Sequence, residues 1–525
     1  DRSGAVLEPL VSEQWFMDVK EAAAKALEAV NSGAIQFTPE HHTAVWSHWL
    51  TNIQDWCISR QLVWGHRIPA WTCAKCGELH VELEQPSACS ACGAGDLIQD
   101  PDTLDTWFSS ALWPFSVFGW PDETEDLKRY YPTSVLITGY DILFFWVARM
   151  AMAGLTWMGD VPFHKVYFNS LVRDASGQKM SKTKGNVIDP LEVMEDYGTD
   201  ALRFSLAIMA APGTDIAMST ARLEASRNFC NKLWNAARFV QMSLEPDVTL
   251  DVAPELGEAE YWMIGRLRES LTATTKALEE FRFHEASDLL YHLVWDDFCA
   301  TYIELAKVQL QIGTKAQKAA ILHFLDILLR ALHPFVPFLT EEIHEAMMDG
   351  RLRTGEPALL AQRSWPVDEP LLQAQGGDAT LIPRFQEVLS AFLRLKAEQG
   401  VDPAKRVAAF CTLMELEPFS EALKSIARLE SVTFAKGDLA SPTRAVAVVG
   451  GGTLALELAG LKDPAAEKAK LEKELAKLEK ELEPLRARLA DDSFVTKAPE
   501  AAVAKLRGQA EEKEQRLQQV KALLQ

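Results

Sequence analysis

Two Cys-x-x-Cys pairs, Cys73 with Cys76 and Cys89 with Cys92, stand twelve residues apart in a chain that has eight cysteines among 525 residues. Each pair brings two sulfurs to one side of a tight turn. Two such turns facing each other offer the four thiolates of a tetrahedral zinc site. Gly77 and Gly93 directly follow the pairs, where the backbone has to double back. Two disulfides or four free thiols are the alternative. No histidine or glutamate lies inside either pair, so a bound zinc would have a closed shell and a structural role. Cys57, Cys230, Cys299 and Cys411 are isolated and read as small core residues.

The rest of the chain is too long for one such module. Its length suits roughly three to five domains. Apolar residues make up 48% and charged residues 24%, which excludes whole-chain disorder and fibrous repeats. The net charge of −21 excludes a general basic coat for nucleic acid, so any such contact is a local patch. The apolar run Ile142–Met158 is short for a membrane span and contains Arg149, which is costly in lipid. It predicts a buried helix, and no membrane association. The chain opens with Asp1-Arg2-Ser3-Gly4, without an initiator Met or a signal stretch. It reads as mature, trimmed or incomplete.

Pattern changes divide the sequence. Residues 1–55 mix short apolar runs with a helix near Val19–Val30, and residues 56–110 carry the cysteine module. Residues 111–220 alternate apolar runs with Gly and Pro in α/β fashion, with buried strands predicted at Val135–Gly139 and Val166–Val172. From 221 to 369 the apolar spacing turns helical, as at Leu289, Leu290, Leu293 and Val294, and predicts a bundle. Residues 370–460 return to short mixed segments, a small α/β domain in which Gly450-Gly451-Gly452 reads as a turn between strands. In 461–525, Leu471, Leu475, Leu478, Leu482, Leu485 and Leu489 step by four and three, and a second such series follows Pro499. This predicts an antiparallel coiled-coil hairpin, kinked at Pro484. A solvated, dimerising coil is the alternative. The tail's net charge is +1 against −22 for the body.

One stretch reverses the acidic balance. Lys165, Arg173, Lys179, Lys182 and Lys184 lie between His164 and Asn186 with Asp174 as the sole acid. Gly177 and Gly185 bracket three of those lysines and two hydroxyls. Such a loop can wrap a polyphosphate, with lysines giving charge and backbone N–H groups and hydroxyls giving directed donors. An exposed basic turn is the plainer reading.

Lys179-Met180-Ser181-Lys182-Thr183 resembles the Lys-Met-Ser-Lys-Ser signature of class I aminoacyl-tRNA synthetases. Four further stretches are similar to valyl-tRNA synthetases: Trp56–Trp71, Asp105–Ser110, Ile137–Arg149 and Gly185–Pro190. Gly65-His-Arg-Ile-Pro-Ala-Trp71 and the terminal coil favour the valyl over the isoleucyl or leucyl members. The resemblance runs over nearly the whole chain and is weakest at 370–460.

It implies a multidomain α/β plus α protein: the C-terminal half of a Rossmann-like catalytic domain, a zinc module, an anticodon-binding bundle, a small α/β domain and a tRNA-clasping arm. It implies a ligase acting on L-valine, tRNA-Val and ATP with Mg²⁺, cytoplasmic and monomeric. Lys179, Met180, Ser181, Lys182 and Thr183 would close over ATP, with Lys182 on the phosphates and Gly139 near the adenosine. Thr183 stands for the usual serine and keeps its hydroxyl. Trp107, Tyr140, Asp141 and Ile142 would line the valine pocket; ordinary core is the alternative for Trp107 and Ile142. Arg227, Asn231, Asn235 and Arg238 share one helix face and would meet tRNA, although a solvated face gives the same pattern. Lys470, Lys473, Lys477, Arg486 and Arg488 would meet its phosphates on the arm. Structural zinc would sit on Cys73, Cys76, Cys89 and Cys92.

The family's His-x-Gly-His sequence matches no histidine here, and most of the editing insertion has no counterpart, residues 1–20 resembling its exit. The resemblance therefore implies a C-terminal portion whose N-terminal half acts in cis or in trans, and which alone binds tRNA without activating valine. A stand-alone, non-catalytic tRNA-binding module is the other reading.

Overall fold

The computed structural model describes residues 11–181, 185–348, 350–441 and 443–458, together with Val6, Glu8 and Leu482. The chain falls into two compact units. The first comprises Asp1–Ala253, Gly265–Cys299 and Ile321–Gln373; the second comprises Pro254–Ile264, Ala300–Ala320 and Ala374–Gln525.

The first unit is organised by a three-stranded parallel sheet. Phe163–Asn169 lies in the middle, with Gln36–Thr38 on one side and Thr133–Gly139 on the other. Parallel neighbours need a crossover, and the helical run Tyr140–Met158 supplies it. By length and composition alone this run could cross a membrane, yet half of its most apolar stretch is buried inside the protein. Leu143, Val147, Met150 and Ala151 pack there with Val19, just ahead of the helix Lys20–Asn31, and with Ala23 and Ala26 of that helix. The run widens to π geometry over Leu143–Ala148 and Gly154–Met158.

Both predicted strands differ in detail. Leu136 and Thr138 are buried, but Val135 is 37% and Ile137 58% exposed. Thr133–Gly139 is an edge strand, and alternation sends these two side chains to its open face. The apolar run Val166–Val172 is divided. Phe163–Asn169 stays in the sheet, whereas Val172–Arg173 pairs with Ile216–Ala217. Leu171 causes the switch: its N–H donates to Asp215 Oδ1 at 3.4 Å and its carbonyl accepts from Ile216 N at 2.8 Å.

The cysteine module is a separate antiparallel sheet, with Ala70–Cys73 flanked by Leu79–Val81 and Leu97–Gln99. The helical part of this unit starts with Thr220–Ser243, whose buried stripe includes Leu223, Phe229, Leu233 and Val240. It packs on Thr199–Met209, where Phe204 stacks on Phe229 at 4.6 Å and Ser205 bonds Ser226 at 2.7 Å. Three arginines and three acids are interlocked beside the C-terminal half of Lys315–Leu332. Arg330 pairs with Asp326 and Glu369, Arg353 with Glu356 and Glu369, and Arg363 with Asp326 and Glu356.

The second unit holds a four-stranded sheet in the order Leu429–Phe434, Val407–Cys411, Gly452–Glu457, Arg444–Val449. The last two strands form a hairpin turned by Gly450 and Gly451, at φ 58° and 80°, values that suit glycine. Phe385, Val388, Phe392 and Leu395 are the buried stripe of Leu381–Glu398 in this unit. Lys396, on the same helix, is buried and donates to the carbonyls of Pro403, Lys405, Ala427 and Arg428. Residues 254–264 and 300–320, read from the sequence as part of one bundle, belong to this unit. Gly376 and Gly377 close on Tyr261, Asp378 N–H donates to Glu258, and Gln386 reaches Thr301. The predicted coiled-coil arm lies outside the described residues, Leu482 apart.

Candidate functional site

Three of the motif stretches meet on one carboxylate. Asp105 caps the helix Thr106–Ala111, its Oδ1 accepting from Trp107 N at 3.3 Å. Its Oδ2 accepts from Arg60 Nη2 at 2.8 Å, Trp56 Nε1 at 3.0 Å and Arg149 Nη1 at 3.2 Å. Asp105 is 4% and Arg149 9% exposed. The Arg149 guanidinium also lies 3.9 Å above the Trp56 ring, a cation–π contact. Burial draws the Arg149 guanidinium down from its ordinary range, and Asp105 opposes this. Beside this hub is a cleft of about 390 Å³ lined by Trp49, Trp56, Arg60, Phe144, Arg149 and Met152 among others. None of the sequence-predicted pocket residues lines it.

Those residues lie at the start of the crossover helix. Gly139 ends its strand, and a side chain there would stand 2.7 Å from Asp141 Oδ1. Asp141 is exposed and its carboxylate ends a flexible side chain, so a larger residue at 139 would push it aside. Tyr140, Asp141 and Ile142 form the next turn, with Asp141 exposed and Ile142 half-buried. Trp107 stacks on Phe145 at 6.0 Å, which brings it to the same helical run. Gly139, Tyr140, Asp141, Ile142 and Trp107 are therefore gathered around the start of one helix.

The basic loop is tied to that turn. Asp215 receives the Tyr140 hydroxyl at 3.3 Å and pairs with Arg173. Desolvation raises the Asp215 carboxyl, but the Arg173 hydrogen bond and the Leu171 N–H win and hold it below the usual carboxylate range. Arg173 in turn bridges to Lys179 across a narrow hairpin. Asp174 turns that hairpin, accepting from Ser176 N at 3.0 Å and Gln178 N at 2.8 Å. Asn186 clasps it from the far end: its Nδ2 donates to Asp174 Oδ2 at 2.8 Å and its Oδ1 accepts from Ser181 N at 2.9 Å. Met180 Sδ accepts from Ile188 N at 3.4 Å. Lys179, Met180 and Ser181 are thus held, while Lys182 and Thr183 lie outside the described residues.

On Thr220–Ser243, Arg227, Asn231, Asn235 and Arg238 are all exposed on one face. Arg227 lies 5.4 Å over the Tyr197 ring. Arg238 lines a cleft of about 210 Å³ with Trp234, Gln241 and Met347. Lys470, Lys473, Lys477, Arg486 and Arg488 lie outside the described residues.

The four paired cysteines converge, with all their sulfurs within 4.8 Å of one another. Cys73 and Cys92 are 3.7 Å apart, and Cys76 and Cys89 3.6 Å. A tetrahedral ion with Zn–S bonds near 2.3 Å requires sulfurs about 3.8 Å apart, so the residues fit zinc. Gly77 and Gly93, at φ 77° and 74°, return their N–H groups to Cys73 O and Cys89 O at 2.9 Å. Burial works against the Cys89 thiolate, but the Cys92 backbone and His80 outweigh it and draw the thiol down to about 6.

The sequence reading missed Trp56, Arg60, Asp105 and Arg149 as one group, and Asp215 and Asn186 as loop anchors. An aspartate just ahead of a helix and an arginine inside an apolar run were the available signals.

Three family models match the chain. The class I tRNA synthetases (I, L, M and V) match residues 5–219, the anticodon-binding domain of tRNA ligase matches 260–411, and the valyl tRNA synthetase tRNA binding arm matches 463–525. Curated relatives include the valine–tRNA ligase of Syntrophotalea carbinolica, 45% identical over 98% of this chain and 58% of that protein. That of Thermotoga maritima is 42% identical over 100% of this chain and 60% of that protein. The chain thus spans about three fifths of the length of the curated relatives it matches. Among solved structures, the ternary complex of Agrobacterium radiobacter K84 agnB2 LeuRS, tRNA and LeuAMS is similar. It is 25% identical with a TM-score of 0.50, over 61% of this chain and 43% of that one. Mycobacterium tuberculosis methionyl-tRNA synthetase with methionyl-adenylate shares the fold at 17% identity and TM-score 0.51, over 67% and 69% of the two chains.

Proposed function

The chain belongs to the class I aminoacyl-tRNA synthetases, in the valine branch, and from this we propose that it serves in the ATP-driven attachment of valine to tRNA-Val. The observation that carries the proposal is the 45% identity to a valine–tRNA ligase over 98% of the chain. The linked turn and basic loop add to it, because two motifs that the reaction would use together share Asp215.

In the first step a valine carboxylate oxygen attacks the α-phosphorus of ATP. The bond to the β-phosphate oxygen breaks, and pyrophosphate leaves with the electron pair. In the second, a terminal ribose hydroxyl of tRNA attacks the carbonyl of the adenylate, and AMP leaves. Such chemistry depends mostly on positioning and charge neutralisation. Lys179 and Lys182 would meet the phosphates, with Mg²⁺ bound to ATP and the Thr183 hydroxyl and loop N–H groups as directed donors. Gly139 would let the adenosine approach the backbone. Trp107 and Ile142 would give an isopropyl group an apolar wall, with Tyr140 and Asp141 at the same turn.

Arg227, Asn231, Asn235 and Arg238 would face the tRNA with Lys470, Lys473, Lys477, Arg486 and Arg488 of the arm; arginine and asparagine suit phosphates and base edges. Cys73, Cys76, Cys89 and Cys92 would hold a structural zinc, which contributes folding energy and no chemistry. The protein would work in the cytoplasm as a monomer, with the remaining two fifths of the relatives' length supplied in cis or in trans.

Lys182→Ala tests the loop. In a polypeptide of the relatives' full length it should lower valine-dependent ATP–pyrophosphate exchange by ~10²–10³ and leave tRNA-Val affinity within a few-fold. Equal losses in both would remove Lys182 from the phosphates.

A further inference from the structure

His80 lies on the strand Leu79–Val81, paired with Trp71 across the ladder, between the two cysteine turns. Its side chain is 8% exposed, and its Nε2 stands 3.4 Å from Cys89 Sγ. It is not one of the four residues whose ligand atoms cluster within 4.8 Å. It therefore touches one prospective ligand from outside the cluster.

The charge around the site gives this contact a purpose. From Cys73 to Gln99 the chain carries one basic residue, Lys75, against Glu78, Glu82, Glu84 and Asp96. A divalent ion with four thiolates adds about two more negative charges. Cys89 is a buried member of the set, where excess negative charge is hardest to solvate. Its main chain is already fixed, with Cys89 N donating to Ala94 O at 2.7 Å and Gly93 N to Cys89 O at 2.9 Å. The sulfur is the part left to be positioned.

We propose that His80 does not bind the metal but holds one of its ligands: Nε2–H donates to the Cys89 sulfur, spreads its negative charge and fixes its direction. The consequence is slower metal loss. Residues in this relation to a ligand typically change metal affinity by ~10–100-fold. The proposal rests on the zinc reading of the four cysteines.

The test uses the full chain loaded with zinc, and in parallel with cobalt(II) as a spectroscopic probe. The rate at which zinc passes to an excess of a chromophoric chelator is compared for wild type, His80→Phe and His80→Gln. His80→Phe should release zinc roughly 10–100-fold faster. His80→Gln, which keeps an N–H donor, should stay closer to wild type than to His80→Phe. The cobalt form should show the thiolate charge-transfer intensity of four sulfurs in all three proteins. If His80→Phe does not fold by circular dichroism, His80→Leu carries the same expectation. Wild-type release rates in the donor-less variant would overturn the proposal. So would a wild-type cobalt spectrum of three sulfurs and one imidazole. Failure of the wild type to take up either metal would overturn the zinc reading itself, a different outcome from uptake with unchanged release.

Discussion

Arg149 and Asp105 form a buried ion pair, Nη1 to Oδ2 at 3.2 Å, that joins the crossover helix to the cap of the helix carrying Trp107. Arg60 and Trp56 converge on the same oxygen. Removing one partner of such a pair leaves an uncompensated buried charge, which costs about 3–5 kcal/mol. Asp105→Ala should lower the urea midpoint of the first unit accordingly, followed by near-ultraviolet circular dichroism. A loss under about 1 kcal/mol, the range of exposed pairs, would mean that Arg149 finds other support.

The Asp215 link makes a second expectation. Arg173 and Asp215 are partly exposed, so solvent screening leaves this charged hydrogen bond weaker than a buried one. Asp215→Asn should raise local opening of the basic loop roughly tenfold. Trypsin cleavage at Arg173 and Lys179 under native conditions reads this. An unchanged cleavage rate would separate the loop from the turn.

Acid sensitivity follows from buried histidines. His323 donates to Val252 O at 3.1 Å, and burial holds its ring below its ordinary range, helped by Arg353 and opposed by Asp326 and Glu369. His344 and His42 are lowered mainly by burial as well. Below about pH 6.5 the unfolded chain then binds more protons than the folded one, so stability falls as pH drops through that value. His292 has the opposite sign, because the Asp296 hydrogen bond raises it, but it is more exposed and contributes less. Urea midpoints between pH 7.5 and 5.5 should decline, and more shallowly in His323→Gln. An equal slope in the variant would place the sensitivity elsewhere.

The cysteine cluster predicts one zinc per chain by elemental analysis. Cys73→Ser and Cys89→Ser should each lose the metal and lower thermal stability, because closed sites couple binding to folding. Freshly purified protein without metal would argue against it.

What the sequence made legible was local. The spacing of the cysteines, the Gly450-Gly451 turn and the shared helix face of Arg227, Asn231, Asn235 and Arg238 depend on neighbours within a few residues, and the structure has them so. Gly177 and the lysine loop were visible as composition. Partnerships across 40 or more positions were not: Asp105 with Arg149, and Arg173 with Asp215, are 44 and 42 residues apart. The exposure of Val135 and Ile137 was also hidden, since a β-branched run reads the same on an edge strand as in a sheet interior. The interleaving of the two units escaped for the same reason, because helical spacing marks a helix and not its partner.

The most direct test is amino-acid-dependent ATP–pyrophosphate exchange by a polypeptide of the relatives' full length that carries these 525 residues. Valine should drive the exchange far more effectively than leucine or methionine, with isoleucine, one methylene larger, disfavoured by roughly 10–200-fold. Exchange driven equally well by leucine or methionine, or none with valine, would contradict the assignment of this chain to valine–tRNA ligation.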